Sequence, residues 1–213
     1  MEPWFHLHYP ELSFRLSRPE VRLMRADAER NKKLIVQAAR EVFATAGVAA
    51  PIDEIAQRAG VGTGTLYRHF PTKEALFEAV VIGRVKDLAE EARRLIASNE
   101  PKTAFFTLLS QLIQHGDGHK DLMDALGRQF FDIQKAVPGL LAEMWAGVGQ
   151  LLEQAQQAGT VRRDLQLSHV QALVTAACTA IDQGGGDELE RMIWTVISDG
   201  LRPKEAKHDG STG

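Results

Sequence analysis

Apolar residues recur at the 3.6-residue spacing of an α-helix along almost the whole of this chain, while the every-second-residue alternation of a half-buried strand is scarce. That pattern predicts an all-α architecture in which each element buries one stripe against neighbouring helices. A first helix is expected over about 28–46. Leu34, Ile35, Ala38, Ala39, Val42 and Phe43 form its stripe, and Gly47 stands where a C-cap glycine belongs. Pro51 suits the first turn of a second helix, Asp53 and Glu54 suit its positive end, and Gly60 ends it. A short third helix covers about 63–69 and stops before Pro71. A long helix follows over about 73–97, then one opened by Pro101, and a helical segment over about 120–135. Three amphipathic helices complete the chain, on stripes 137–155, 170–181 and 189–197, with Gly184, Gly185 and Gly186 between the last two.

The expected organisation has four parts. Residues 1–24 carry three prolines and no sustained period, so they read as an irregular arm, with Met24 a candidate natural start. Residues 25–78 form a compact head, 79–203 a larger helical body, and 204–213 a polar, disordered tail. Charge follows the same division. Residues 25–75 hold eight Lys/Arg and six Asp/Glu, a balance of +2, which leaves −5 on the remainder of a chain whose total is −3. A mildly basic head on an acidic body suits contact with a polyanion. No run approaches the roughly 20 apolar residues of a membrane helix. The single cysteine, Cys178, excludes an internal disulfide framework, and with no signal-like start the chain is expected in the cytoplasm.

The segment from Ile52 to Phe70 carries the functional information. Ile55 and Ala59 lie one turn apart, and Gly60 permits the left-handed turn that reverses the chain. Val61 plugs the corner, Leu66 and Phe70 give the next helix a buried side, and small Ala56 allows a close crossing. This is helix-turn-helix geometry, in which the second helix enters the major groove of DNA. Its outer face then presents Thr63, Thr65, Tyr67, Arg68 and His69, donors and a cation suited to phosphates and base edges. Gly64 lets the backbone approach. Lys73, with its ammonium and a helix amino-terminus, is expected at a phosphate. Arg25, ahead of the first helix, and Lys33, on it, add positive charge.

The run Ala59-Gly60-Val61-Gly62-Thr63-Gly64-Thr65-Leu66-Tyr67-Arg68-His69-Phe70-Pro71-Thr72-Lys73-Glu74-Ala75-Leu76 resembles the DNA-binding head of the tetracycline-repressor (TetR) family. The resemblance covers about residues 28–78. It departs at Gly62, where the family usually has a capping Ser or Thr; glycine is an acceptable N-cap, so a slightly weaker helix start is expected. The resemblance implies operator binding, repression of transcription relieved by a small molecule, an effector pocket in the body, and a dimer closed by two helices from each subunit. Phe105, Phe106, Leu109, Met123, Phe130, Phe131 and Trp145 are the bulky residues placed to line an apolar pocket, against the plainer reading of ordinary core. The helix after residue 168 has a second side of small residues, Ala172, Ala176 and Ala180, and Trp194, Ile197 and Leu201 broaden the apolar surface of the last helix. These six are the expected dimer contacts.

Other readings carry less. The glycines at 60, 62 and 64 lack the preceding strand of a dinucleotide fingerprint. His115, Asp117 and His119 sit among glycines in a loop, a poor frame for a metal, and none is expected. Cys178 falls on an apolar face as a small core residue. No nucleophile–base constellation is legible, so neither catalysis nor a cofactor is expected. The rival reading is a helical small-molecule-binding or interaction protein that has lost selective DNA binding. The retained Thr65, Tyr67, Arg68 and Lys73 argue against it.

Overall fold

The computed structural model describes residues 18–47, 49–98, 100–113, 137–182 and 186–203. Among these there are eight helices and no strand. They are α1 (Arg18–Ala46), α2 (Ile52–Ala59), α3 (Thr63–His69), α4 (Lys73–Ala97), α5 (Ala104–Ile113), α6 (Pro138–Gln157), α7 (Leu167–Asp182) and α8 (Gly186–Leu201).

Two hydrophobic cores share α4. The first gathers Ile35, Ala38, Ala39, Val42 and Phe43 of α1 with Ile55 and Ala56 of α2, Leu66 of α3, Phe70, and Leu76, Phe77, Val80 and Val81 of α4. Phe43 and Phe77 meet with ring centroids 5.9 Å apart and planes inclined at 57°, a tilted pair that joins α1 to α4. The second core begins further along α4, at Leu88, and takes in Ala92 and Leu95 with stripes from α5, α6 and α7 and the end of α8. Val80 and Val81 still pack in the head, beyond the division expected at residue 78.

Local signals explain the element ends. Gly47 and Gly60 adopt positive φ (74° and 67°), the left-handed conformation that closes α1 and α2. The Thr72 hydroxyl accepts from Ala75 N at 3.1 Å and caps α4. Pro138 occupies the first turn of α6. Within the body, α4 and α6 lie close. A Cβ built on Gly147 would stand 2.7 Å from the Ala92 Cβ, so the crossing depends on glycine.

The structure differs from the sequence reading in three places. The first helix starts at Arg18, so residues 18–24 are helical and not part of an irregular arm. Pro19 lies in its opening turn, where proline is tolerated because its missing N–H has no partner to lose. Leu34, expected on the buried stripe, is 42% exposed. Pro101 lies in a turn ahead of α5, which begins at Ala104. The expected segment 120–135 and the loop with His115 and His119 fall outside the described residues.

Candidate nucleic-acid interface

The turn between α2 and α3 is fixed by backbone bonds. Gly60 N donates to Gln57 O at 3.1 Å and Val61 N to Ala56 O at 3.0 Å, while Thr65 N and Leu66 N both donate to Gly62 O. Leu66 is fully buried and Phe70 is 4% exposed, so α3 is anchored along one side. Its other side is open. Tyr67 is 47% exposed, Arg68 and Gly64 are exposed, and Thr65 and His69 are half-buried. A Cβ on Gly64 would meet nothing within 4 Å in the protein, so its lack of a side chain answers no internal packing need.

Charges near this face divide into free and committed groups. Among the described residues neither Arg68 nor Lys33 has an acidic partner, and both are exposed. Arg58 pairs with Glu41 at 3.3 Å and ties α2 to α1. Thr63, at the start of α3, donates its hydroxyl proton to Asp53 Oδ1 at 3.1 Å, placing a carboxylate beside the recognition helix. The Lys73 ammonium is turned inward and donates to Ala50 O at 2.6 Å. One of its three protons thus holds the α1–α2 connection against the first turn of α4. Arg25 lies on α1, but its side chain is outside those described. Sequence reasoning missed both hydrogen bonds, since each depends on which polar groups the turn brings together.

The expected pocket residues fall into separate settings. Phe105 and Leu109 are each 1% exposed and belong to the body core. Phe106 is half-buried, meets Phe105 edge-on at 5.5 Å, and carries the Arg202 guanidinium 4.9 Å from its ring centroid. Trp145 is half-buried against the same core. Met123, Phe130 and Phe131 lie outside the described residues. A hollow of about 290 Å³ opens elsewhere, between Ile96, Pro101, Gln154, Gln157 and Ala158.

The expected dimer contacts on α8 differ in how far they face outward. Leu201 is 2% exposed and serves the protomer's own core, while Trp194 and Ile197 are half-buried at the edge of that core. The outward apolar pair is Met192 and Val196, exposed by 58% and 63%. On α7, Ala172 and Ala176 are exposed and Ala180 is half-buried. Cys178 is buried, as its apolar face implied. Among the described residues no cluster of His, Cys, Asp or Glu is arranged to hold a metal, and no helix is long and apolar enough to cross a membrane.

A buried-anchor helix that turns hydroxyls and an exposed guanidinium outward from a helix-turn-helix head, carried on a helical body, defines a DNA-binding transcriptional regulator. Residues 35–80 match the model for bacterial regulatory proteins of the tetR family, and residues 100–203 that for the transcriptional regulator SbtR-like, C-terminal domain. The crystal structure of a TetR transcription regulatory protein from Mycobacterium vanbaalenii is 40% identical, with a TM-score of 0.66 over 84% of this chain and 99% of that one. A TetR transcriptional regulator from Streptomyces coelicolor is 29% identical, with a TM-score of 0.65 over 82% of this chain and 99% of that one. The chain belongs to the TetR family. Among curated relatives, the HTH-type transcriptional regulator SrpR of Pseudomonas putida is 43% identical over 60 residues, which is 28% of each chain. UidR of Escherichia coli K12 is 34% identical over 79 residues, 37% of each chain. This chain therefore matches only about a third of the length of those curated relatives.

Proposed function

We propose that the chain acts as a homodimer that grips a near-palindromic operator with α3 of each subunit, represses transcription there, and lets go when a small molecule enters the body. The observation that carries this reading is the split of α3 into an anchored side, Leu66 and Phe70, and an open side, Thr65, Tyr67 and Arg68. In this reading the hydroxyls and guanidinium contact phosphates and base edges, and Gly64 admits the sugar–phosphate backbone to close range. His69, half-buried, and Thr63, engaged with Asp53, have supporting places at the edge of the contact. Lys33 and Arg25 add charge from α1.

Dimerisation is supported by the exposed Met192 and Val196, large apolar groups that are costly to leave in water, and by the small outer side chains of α7. A twofold dimer sets its recognition helices about 34–36 Å apart, or a multiple, along the duplex. The head, near residues 25–78, reads DNA, and the body, near 79–203, pairs and senses. The effector reading is supported by the half-buried aromatics Phe106 and Trp145 and calls for an apolar or weakly polar molecule. Such a molecule acts only if it prefers the conformation that misfits DNA.

The test is selection of bound fragments from the host genome with purified protein, followed by anisotropy titrations at several salt concentrations. Binding confined to a few related sequences, weakening with salt at a log–log slope of about −0.9 per phosphate, is the expected result. Equal affinity for every duplex overturns it. Sites overlapping promoters support repression, whereas sites upstream of them make the protein an activator. A compound that binds the body equally well with and without operator is not the effector, because coupling is reciprocal.

A further inference from the structure

Arg40 belongs to α1 and so to the head, yet its side chain reaches the stretch of α4 that lies between the two cores. The head core claims α4 as far as Val81 and the body core begins at Leu88. Between them, Arg40 Nη1 donates to Asp87 Oδ2 at 2.6 Å. The guanidinium passes over Gly83, and a Cβ added there would overlap Arg40 Nη2. Glycine is a costly residue in the middle of a helix, and here its absent side chain is the slot through which the arginine runs.

The surroundings are electrostatically poised. Arg84, the next residue of α4, sends Nη2 to the Gln111 carbonyl at 2.7 Å, near the end of α5 in the body. Burial pulls the Arg84 guanidinium below its ordinary pKa. The positive charge of Arg40 adds to that effect, and Asp87 opposes it. Asp87 thus sits near two guanidiniums, one from the head and one holding the body. Arg40 Nε is buried and among the described residues finds no acceptor, so a single prong and the shape of the slot hold this group. A second head–body contact is made by Val137, just before α6, which packs on the head core.

We infer that Arg40 and Asp87 are positioning residues that fix the angle of the DNA-binding head on the body, and with it the half-site spacing the regulator accepts. The inference rests on the operator-binding dimer proposed above. A rigid joint tolerates one separation of the two recognition helices, while a loosened joint tolerates several. The Arg40 and Asp87 side chains are 35% and 50% exposed, so solvent screens the pair and the expected effect is moderate.

The test uses full-length protein, the selected operator duplex, and the same duplex lengthened at its centre by one and by two base pairs. The quantity read is the ratio of Kd values between lengthened and native duplexes. Asp87→Asn leaves two like charges facing each other, and Gly83→Ala evicts the arginine without changing any charge. Each is expected to shrink the ratio by about two- to fivefold, the scale of an exposed ion pair. Gly83→Ala is expected to do so with a melting temperature equal to or above that of the wild type, because alanine favours the helix. That outcome separates positioning from mere stability. An unchanged ratio in either variant overturns the inference, including the case in which only the melting temperature falls. Wild-type protein that prefers no duplex overturns the operator reading itself, and that is visible before any variant is made.

Discussion

The Lys73 ammonium donates a 2.6 Å hydrogen bond to the carbonyl of Ala50, which is itself 3% exposed in the head core. A residue expected to serve DNA therefore also serves the fold. Lys73→Met keeps the aliphatic stem and removes the donor. It is expected to cost about 1–3 kcal/mol, the range for leaving a buried acceptor unsatisfied, read as a lower urea midpoint at unchanged slope. Arg68→Ala is expected to leave that midpoint alone and to flatten the salt dependence of DNA binding by about 0.9 unit for each phosphate the guanidinium neutralises. A Lys73→Met protein as stable as the wild type would show that the bond to Ala50 adds nothing.

The crossing of α4 and α6 in the body invites a second measurement. A Cβ on Gly147 would come 2.7 Å from that of Ala92, a residue 1% exposed on α4. Gly147→Ala is expected to push α4 and α6 apart and destabilise by about 1–3 kcal/mol, despite alanine's better helix propensity. Adding Ala92→Gly should return most of that stability. Failure of the second change to restore the midpoint would show that the crossing is not what limits residue 147.

Subunit pairing is checked on α8. Changing Met192 and Val196 together to Glu places two charges on the outward apolar pair and is expected to give a monomer by light scattering at micromolar concentration. Operator affinity should fall with it, since each half-site then binds alone. Ile197→Ala touches the edge of the body core and is expected to lower stability without dissociating the dimer. A dimer that survives the double Glu change would move the interface elsewhere.

The parts legible in the sequence are those governed by local chemistry. Gly47 and Gly60 announce their turns because a positive φ suits glycine, and the start of α4 at Lys73 follows from Pro71 and the capping hydroxyl of Thr72. The extra turns at the start of α1 are hidden because Pro19 reads as a breaker and its neighbours form no apolar stripe. On α8 the apolar residues cover two sides, so periodicity alone does not say which side faces home. Neighbouring helices decide, burying Leu201 and leaving Val196 out. The partners of Lys73, Thr63 and Arg40 are hidden for a related reason. A long or polar side chain takes whichever carbonyl or carboxylate the packing delivers, and no spacing encodes that.

The two glycines that flank Thr63 give opposite tests of the recognition helix. Gly62 caps α3 in an extended conformation (φ −71°, ψ 146°) with no side-chain bond, and a Cβ there would be clear of the protein. Gly62→Ser supplies the missing cap and is expected to add a few tenths of a kcal/mol to stability. It should leave affinity for operator unchanged or slightly raised, because α3 starts better ordered. Gly64 lies inside α3 with equally open space around it. Gly64→Ala is expected to raise stability by about 0.5–1 kcal/mol through the usual helix preference. If backbone approaches DNA at this point, the added methyl must collide with the duplex, and operator affinity should fall by about tenfold, equivalent to ~1.4 kcal/mol. Stability rising while affinity falls separates a DNA contact from a folding defect. A Gly64→Ala protein that binds operator as tightly as the wild type would remove residue 64 from the interface and turn the reading of α3 toward Tyr67 and Arg68 alone.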